Sequence, residues 1–134
     1  MKKKKILLTG TTGFIGHKFL SFALSNNFLV IDILRTKNKK NKKIQKLKKH
    51  YQSQYKNIFF DNNSDLSKKL KNIKVDYFIN FATLYSNSHS HNQITSFIDS
   101  NILFPTLIYD KISNTTKKVI NFGSMMQHSK NELL

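Results

Sequence analysis

A short segment near the start of the chain, Thr9-Gly10-Thr11-Thr12-Gly13-Phe14-Ile15-Gly16, contains three of the four glycines among 134 residues. Average glycine usage of about 7% would give about nine glycines in a chain of this length. A sequence that uses so little glycine has therefore concentrated it in one place. The apolar run Ile6-Leu7-Leu8 precedes the segment, and apolar residues with helical spacing follow it. This order predicts a buried strand, a tight turn and the start of a helix.

The three glycines have distinct physical uses in such a turn. Gly10 permits the tight turn, Gly13 lets the backbone approach a phosphate with no side chain between, and Gly16 lets the helix pack closely on the strand. The helix N-terminus supplies unpaired N–H groups and the positive end of the helix dipole, and both favour a pyrophosphate. The alternative is that the glycines serve turn geometry alone. The candidate cofactor-binding residues in this turn are Gly10, Thr12, Gly13, Phe14, Ile15 and Gly16.

Strand-like and helix-like segments alternate along the rest of the chain. We predict strands near residues 4–9, 28–34, 57–60, 75–81 and 117–122. Five rounds of this alternation predict an α/β fold of Rossmann type, a doubly wound parallel sheet. We expect residues 1–134 to form one domain of this type, with the glycine turn as its candidate dinucleotide site.

The helices between these strands carry specific expectations. In the first helix Phe14, Ile15, Phe19, Phe22 and Ala23 recur at spacings of three and four, which predicts one buried face, and Asn26-Asn27 is expected to end it. In the basic segment 35–56, which holds Arg35 and nine lysines, Ile44, Leu47 and Tyr51 form a thin apolar stripe. A third helix is predicted over 64–71 with Ser64 as N-cap. A fourth is predicted over 93–113, with an irregularity at Pro105.

The strongly basic composition requires a nucleic-acid interpretation to be weighed. The formal net charge is +16, and 22 of the 23 basic residues are lysine. Lysine, asparagine and isoleucine together are common here, and their codons are rich in A and T, so coding bias explains the charge. Arginine, which is favoured for bidentate contacts to bases and phosphates, occurs once, at Arg35. We therefore do not expect nucleic acid as a partner and keep it as the third hypothesis.

Metal, disulfide and membrane functions find little support in the sequence. There is no cysteine, and the pair His89 and His91 has no third ligand, so we predict no metal site. His128 follows Ser124 closely, but no nucleophile elbow surrounds that serine. No apolar stretch approaches the roughly 18 residues that a membrane span needs. We expect a cytoplasmic chain that does not contact a membrane.

The pattern Thr-Gly-x-x-Gly-Phe-x-Gly resembles the fingerprint of the extended short-chain dehydrogenase/reductases, the NAD-dependent epimerase/dehydratase family acting on nucleotide sugars. Later segments are similar to the family in order and spacing. The resemblance implies that Asp61 lies near the adenine and that Phe81 and Ala82, in Asn80-Phe81-Ala82, lie beside the cofactor. It also implies that Asn101 is the family's helix asparagine. Ser124, at the end of Val119 to Ser124, matches the catalytic Ser/Thr that positions the sugar oxygen.

The implied activity is hydride transfer between NAD(P) and a sugar carbon, with a tyrosine as acid/base and a lysine four residues later. None of the five tyrosines follows Ser124, and none has a lysine four residues on. The resemblance therefore implies that residues 1–134 are an incomplete NAD(P)-binding domain, which stops after about five strands and lacks the C-terminal substrate-binding region. This would be the cofactor-binding N-terminal part of a nucleotide-sugar epimerase, dehydratase or reductase, inactive alone, and the resemblance leaves open whether the chain is an enzyme. The alternative is a dinucleotide-binding module that works with a separate catalytic chain.

The choice between NAD and NADP depends on the end of the second strand, where an acid would hold the ribose 2′-hydroxyl and a basic residue would accept a 2′-phosphate. The family's usual acid position, 18 residues after Gly16, falls on Leu34, and Arg35 follows it. Asp32 comes early and is either a ribose ligand or a strand residue. We expect NADP or NAD, with NADP favoured. The implied partners are the dinucleotide, a nucleotide sugar and a second copy of the chain in a homodimer.

Overall fold

The computed structural model describes residues 3–86, 88 and 90–122. Within these residues, strands and helices alternate from the start, as the sequence predicts. The strands are β1 (Lys5–Thr9), β2 (Leu29–Arg35), β3 (Tyr55–Phe60), β4 (Tyr77–Asn80) and β5 (Lys118–Asn121). The α-helices are α1 (Phe14–Ser25), α2 (Lys42–His50), α3 (Asn63–Leu70), α4 (Ile94–Ile98) and α5 (Phe104–Ile112).

The five strands form one parallel sheet in the order β3-β2-β1-β4-β5. This order confirms the predicted doubly wound sheet. The chain leaves β1 towards β2 on one side and returns to β4 on the other, so β1 and β4 flank the point where the winding reverses. Thr9 at the end of β1 pairs with Ile33 and with Asn80. Ligands of open α/β sheets bind in the crevice beyond the strand ends at such a point.

Both faces of the sheet are covered across β1 to β4, which explains why the central strands are apolar on both sides, whereas β5 is mostly exposed. Alternate residues of each strand enter opposite layers. One layer contains Leu7 and Phe78 with side chains of α3 and α5, including Leu66 and Ile108. The other layer packs the opposite face against α1 and α2, and its buried members include Ile6, Leu8, Val30, Leu20, Leu24 and Ile44.

The buried face of α1 differs from the predicted one. Phe14, Ile15 and Phe22 are exposed by 81%, 64% and 57% of their surface. The buried residues are instead Gly16, Leu20, Ala23 and Leu24. Gly16 packs on the preceding turn, and residues four, seven and eight positions later lie on the same side of the helix. The glycine contact therefore sets the rotation of α1, and the phenylalanine spacing misled the prediction, although Ala23 was right and Phe19 is half-buried.

The end of α1 and the course of α2 agree with the sequence analysis. Asn27 has a φ of 62°, the left-handed conformation expected of an asparagine that ends a helix. Asn41 begins α2, because its side-chain oxygen accepts hydrogen bonds from the N–H groups of Lys43 and Ile44. Ile44 is buried, and Leu47 and Tyr51 pack against the same layer, which confirms the apolar stripe.

The predicted starts of α3 and β3 were wrong. The N-cap of α3 is Asn62, whose side-chain oxygen accepts a hydrogen bond of 3.0 Å from the N–H of Asp65, and Ser64 lies inside the helix. Asparagine and serine are both good caps, so composition alone could not choose between them. The third strand begins at Tyr55, two residues before the predicted start at Asn57. Tyr55 is 3% exposed and therefore belongs to the core.

The helical run before β5 carries the irregularity expected near Pro105. It starts with a 3-10 turn at His91–Gln93, continues through α4, widens into a π-helical segment at Asp99–Leu103 and ends with α5. Pro105 is the second residue of α5. Proline has no N–H to donate to the preceding turn, and a widened turn accommodates that loss without breaking the helix. The segment places Asn101 beside the chain that leaves β4.

Candidate functional site

A cleft of about 710 Å³ lies beyond the carboxyl ends of β1, β2 and β4. The turn after β1, the end of β2 and the segment after β4 form its walls. The lining residues include Gly10, Thr12, Gly13, Leu34, Arg35, Lys37, Phe81, Ala82 and Thr83. Six of these are residues that the sequence analysis had singled out as cofactor-binding: Gly10, Thr12, Gly13, Arg35, Phe81 and Ala82.

Gly10 is required at its position for two independent reasons. Its φ is +71°, in the left-handed region that side chains disfavour. A Cβ at this position would also lie 2.5 Å from the backbone N of Ala82 and 2.5 Å from the carbonyl carbon of Phe81. The turn after β1 and the chain leaving β4 are therefore in direct backbone contact, and this contact closes one end of the cleft.

Gly16 is closely surrounded by backbone atoms, whereas Gly13 has open space beside it. A Cβ on Gly16 would lie 2.4 Å from the carbonyl oxygen of Gly10 and 3.0 Å from the Cα of Thr11. The helix thus packs on the turn itself, and not on the strand as predicted. At Gly13 the Gly10 oxygen, at 3.3 Å, would be the one atom within 4 Å of a Cβ in the described part of the chain, apart from the adjoining backbone. Gly13 is exposed and lines the cleft, so a side chain there would enter the cleft.

The N-terminus of α1 meets the cleft at Gly13. Gly13 is its N-cap, with no side-chain cap hydrogen bond, and the first turn contains no acidic residue. The first N–H groups of a helix have no intrahelical acceptor, so those of Phe14, Ile15 and Gly16 are suited to an external anion. The side chains of Phe14 and Ile15 do not line the cleft, so these two residues can contribute backbone groups only.

Hydrogen bonds fix the segment that follows β4. The Thr9 hydroxyl donates to the side-chain oxygen of Asn80 at 2.5 Å, and the N–H of Ala82 donates to the same oxygen at 3.2 Å. The Phe81 ring stacks on Phe122 with a centroid distance of 4.6 Å. These contacts hold the backbone of Phe81 and Ala82 against the glycine turn.

Asn101 reaches the same segment from the π-helical turn. Its side-chain oxygen accepts a hydrogen bond of 2.7 Å from the N–H of Leu84, and its amide nitrogen donates to the Leu84 carbonyl at 2.9 Å. Asn101 does not line the cleft with the glycine turn. It lines a neighbouring cavity of about 840 Å³ that extends along β4 and β5. The geometry shows Asn101 bound to the segment after β4, where it sets the course of the backbone.

The wall formed by the end of β2 is positively charged. Arg35 is exposed, and its guanidinium carbon lies 5.7 Å from the ring centroid of Phe60. Lys37 follows in a short 3-10 turn, and none of the described residues that line the cleft is acidic. Asp61, at the end of β3, is exposed and lies outside this lining. Its backbone N–H donates to the carboxylate of Asp65 at 3.2 Å.

Asp32 is a strand residue and not part of the cleft lining. Its side chain is fully buried, and one carboxylate oxygen accepts hydrogen bonds from the Thr11 hydroxyl at 2.7 Å and the Tyr55 hydroxyl at 2.5 Å. Burial raises the pKa of this carboxyl to about 7, although both hydrogen bonds act in the opposite direction. Burial, followed by the neighbouring Asp32, also raises the pKa of Tyr55.

Sequence reasoning missed Thr11 and Tyr55 as members of this group. A usable signal existed, because an acidic residue inside an apolar strand requires buried hydrogen-bond donors. Tyr55 pairs with Val30 and Asn57 pairs with Asp32, so Tyr55 and Asp32 lie on the same face of neighbouring strands. The late start assigned to the third strand hid this relation.

Other residues considered from the sequence do not form a second site. His17, in α1, is half-buried, and burial followed by the nearby Lys43 lowers its pKa. Over the residues the structure describes, no three His, Cys, Asp or Glu side chains cluster to hold a metal ion. None of the helices described there is long and apolar enough to span a membrane. Ser124, His128 and His89 lie outside the described residues.

Comparison with known proteins places this geometry in context. A sequence model of the NAD dependent epimerase/dehydratase family matches residues 6–132. No curated protein matches the chain. Solved structures with a similar fold include ElxO with NADP bound (18% identity, TM-score 0.79), covering 96% of this chain and 58% of ElxO.

Two further structures have the same fold. Serine dehydrogenase from Escherichia coli has 18% identity and a TM-score of 0.77, covering 93% of this chain and 63% of that protein. A short-chain dehydrogenase from Streptomyces avermitilis has 14% identity and a TM-score of 0.77, covering 92% of this chain and 50% of that protein. This chain therefore spans 50–63% of the length of these three proteins.

Proposed function

The chain belongs to the NAD-dependent epimerase/dehydratase family, and from this membership we propose that residues 1–134 form one domain whose cleft binds NAD(P). One observation carries the proposal. The glycine turn lines a cleft at the reversal point of the sheet, and the uncapped N-terminus of α1 opens onto it. Such a helix end is a general binding site for phosphate groups.

In this proposal the pyrophosphate lies against Gly10, Thr12 and Gly13 and accepts hydrogen bonds from the N–H groups of Phe14, Ile15 and Gly16. Phe81 and Ala82 contact the nicotinamide half, because they form the wall opposite the end of β2. Asp61 borders the adenine. Asn101 serves the site by holding the backbone at Leu84, the role that its two hydrogen bonds support.

We propose NADP as the preferred cofactor. The carboxylate of Asp32 is fully buried and lies outside the cleft lining, and Leu34 is a buried leucine, so neither supplies an acid to a ribose 2′-hydroxyl. Arg35 and Lys37 line the cleft and would accept the negative charge of a 2′-phosphate. The measurement is the ratio of dissociation constants for NADPH and NADH, and Arg35→Ala should weaken NADPH binding selectively.

For the complete activity we propose hydride transfer between the nicotinamide and a carbon of a nucleotide sugar, with Ser124 positioning the sugar oxygen. NAD(P) supplies the redox chemistry when bound, and protein groups orient the substrate. These 134 residues contain no Tyr-x-x-x-Lys. We therefore expect the 134-residue chain alone to bind dinucleotide without turning over any nucleotide sugar.

The cofactor proposal is tested by titrating the chain with NADPH and following the nucleotide fluorescence. Gly13→Asp should abolish binding, because it places a carboxylate at the mouth of the phosphate site. Gln52→Asp is the matched control, since it adds the same charge in the exposed turn after α2, away from the cleft. A Gly13→Asp variant that still binds NADPH as tightly as the wild-type chain refutes the proposal. Nucleic-acid binding that falls steeply with salt and ignores Gly13→Asp would favour the third hypothesis.

We also propose a homodimer that forms through the helical run before β5. Ile94, Ile98, Ile102 and Tyr109 follow one another at helical spacing and are each exposed by 40–61% of their surface. An exposed apolar stripe of this kind is typical of helix-to-helix association. Light scattering should give twice the monomer mass for the wild-type chain. Ile98→Glu should give the monomer mass, and Lys111→Glu, on the charged surface of α5, should leave the dimer intact.

A second candidate function is favoured by the open edge at β5. Within the described residues β5 pairs with β4 alone, and Ile120 and Phe122 are exposed by 41% and 60%. This edge suits a dinucleotide-binding module that works with a separate catalytic chain. Turnover that appears only when a separately purified fragment containing Tyr-x-x-x-Lys is added would support this function.

A further inference from the structure

A buried polar group lies directly beneath the glycine turn and belongs to no wall of the cleft. It consists of Asp32 and Thr11, both fully buried, and Tyr55, which is 3% exposed. An acidic side chain in this apolar layer is costly unless donors compensate it. Such a group must therefore contribute something that an apolar residue in the middle of β2 could not.

The hydrogen bonds connect three parts of the fold through one atom. The hydroxyl groups of Thr11 and Tyr55 both donate to Oδ2 of Asp32, at 2.7 and 2.5 Å. Thr11 belongs to the turn after β1, Asp32 to β2 and Tyr55 to the start of β3. The other oxygen, Oδ1, is buried and has no hydrogen-bond partner within the described part of the chain. The carboxylate is therefore held through the same oxygen that fixes the Thr11 side chain.

Thr11 is also packed between the parts of the turn that meet the cleft. It follows Gly10, and its Cα lies 3.0 Å from the position of a Cβ on Gly16. A movement of Thr11 would therefore shift both the tight turn and the first turn of α1. The ionisable neighbours on this side are His17 of α1, which contacts the Thr11 backbone, and Lys43 of α2, which acts on His17. Neither makes an ion pair with Asp32.

We propose that Asp32 and Tyr55 are positioning residues for the dinucleotide, because they hold Thr11 and with it the glycine turn in the conformation that presents its N–H groups to the pyrophosphate. This inference rests on the proposed cofactor function. Neither residue touches the cofactor. Their effect on affinity passes through the Thr11 hydroxyl.

The test compares two substitutions of Thr11 that change different properties. Thr11→Val keeps the volume of the side chain and removes the hydroxyl, whereas Thr11→Ser keeps the hydroxyl and removes a buried methyl group. Dissociation constants for NADPH are measured on the full chain, and thermal unfolding is recorded in parallel. We expect Thr11→Val to weaken NADPH binding about fivefold or more, as expected when a hydrogen bond of ordinary net strength no longer holds the turn. Thr11→Ser should bind within about twofold of wild type despite a lower melting temperature.

Tyr55→Phe tests the second hydrogen bond to Asp32, which the Tyr55 hydroxyl donates. It should weaken NADPH binding in the same direction as Thr11→Val, because Thr11 then bonds to a less constrained carboxylate. The matched control is Tyr51→Phe, since Tyr51 packs against the same core layer but its hydroxyl makes no bond to Asp32. This control should bind NADPH within about twofold of wild type.

The outcomes separate this inference from the cofactor proposal. A wild-type chain that binds neither NADPH nor NADH overturns the cofactor proposal and this inference with it. A wild-type chain that binds, together with Thr11→Val and Tyr55→Phe variants that bind equally well, overturns the positioning role alone. Equal losses in Thr11→Val and Thr11→Ser also overturn it, because packing and not the hydroxyl would then be responsible. If Tyr55→Phe does not fold, the two Thr11 variants still decide.

Discussion

At the scale of single residues, the Asp32 carboxyl makes the stability of the fold depend on pH. Burial raises its pKa from 3.8 to about 7. Between these two pH values the folded chain holds a proton on Asp32 that the unfolded chain has released. The stability that Asp32 contributes below pH 4 is therefore lost as the pH rises to about 7. We expect Asp32→Asn to gain stability relative to wild type over this range, by roughly 2–4 kcal/mol. Urea denaturation at pH 4, 5.5, 7 and 8 measures the difference.

Two surface carboxylates, Asp65 and Asp76, have the opposite effect on the pH dependence of stability. Their contribution can therefore be distinguished from that of Asp32. A hydrogen bond from Lys69 lowers the pKa of Asp65, and one from the Lys5 backbone lowers the pKa of Asp76. The stability that Asp65 and Asp76 contribute is lost as the pH falls. This loss is the same in wild type and in Asp32→Asn, so it cancels when their free energies of unfolding are subtracted. A difference between Asp32→Asn and wild type that is the same at pH 4 and pH 7 would contradict the assignment.

Gly10 and Gly13 are expected to differ sharply when each is replaced by alanine. At Gly10 the methyl group would meet backbone atoms of Phe81 and Ala82 at 2.5 Å, in a conformation with a φ of +71°. At Gly13 the closest neighbour would lie at 3.3 Å and the conformation is extended. Gly10→Ala should therefore destabilise the fold by about 2–4 kcal/mol and Gly13→Ala by less than about 1 kcal/mol. Denaturation by urea compares them, and equal losses would argue against the close contact at Gly10.

The sequence predicted the glycine turn because glycine is rare in this chain and three glycines follow an apolar run at the spacing of a strand-to-helix turn. The neighbours of each glycine could not be predicted, since they depend on how far α1 approaches the turn. Asp32 shows the same limit. Its position within an apolar strand was visible, but its partners are separated from it by 21 and 23 residues. Only the strand register brings them together.

At the scale of the secondary-structure elements, the start of α3 distinguishes two plausible caps. Asn62 accepts a hydrogen bond from the Asp65 N–H, whereas Ser64 lies within the helix. Asn62→Ala should cost about 1 kcal/mol of stability, and Ser64→Ala should be neutral within about 0.5 kcal/mol. The free energy of unfolding in urea is the measurement. A larger loss of stability for Ser64→Ala than for Asn62→Ala would indicate that Ser64 is the N-cap, as the sequence predicted.

The rotation of α1 shows why a correct helix prediction can assign the wrong face. Phenylalanine spacing indicated a buried face that includes Phe14 and Phe22, yet both are mainly exposed. A periodic pattern gives the width of an apolar stripe but not which contact fixes the helix on the sheet. Here the contact of Gly16 with the turn fixes it, and the smaller residues that follow become the core. A short chain also leaves apolar side chains on its surface, so exposure of single phenylalanines is ordinary.

At the scale of the whole molecule, a net charge of +16 on 134 residues opposes compaction. Added salt shortens the distance over which the positive charges repel one another. We expect the melting temperature to rise by several degrees between about 0.05 and 0.5 M sodium chloride, since 1 kcal/mol moves the midpoint of a domain of this size by about 3–6 °C. Scanning calorimetry or circular dichroism at a series of salt concentrations measures the slope.

The control for this prediction reduces the charge at one exposed location. Lys42, Lys46 and Lys49 lie on the exposed surface of α2, and replacing all three by glutamine lowers the net charge without touching the buried Ile44. The variant should show a smaller salt slope than wild type. An unchanged slope would indicate that the salt acts on hydrophobic burial, which does not depend on net charge.

The architecture of the whole sheet was predictable because alternation and apolar strands follow from burial on both faces. The order of the strands, β3-β2-β1-β4-β5, was not predicted, because it depends on contacts between segments far apart in the chain. The course of the helical run before β5 was predicted only as an irregularity at Pro105, because a π-helical segment has no distinctive sequence pattern. That segment matters for the site, since it carries the asparagine that holds the chain after β4.

The backbone contact between Gly10 and Ala82 has a consequence for the order in which the protein forms during synthesis. The two residues are separated by more than half of the described chain. When only β1, α1 and β2 have left the ribosome, the nascent chain contains every glycine of the turn. It still lacks the backbone of Phe81 and Ala82, against which Gly10 packs. On the proposed function, the phosphate site therefore becomes complete only after β4 has emerged and inserted beside β1. Nascent chains stalled before that point should be unable to retain the dinucleotide, however well their first helix has formed.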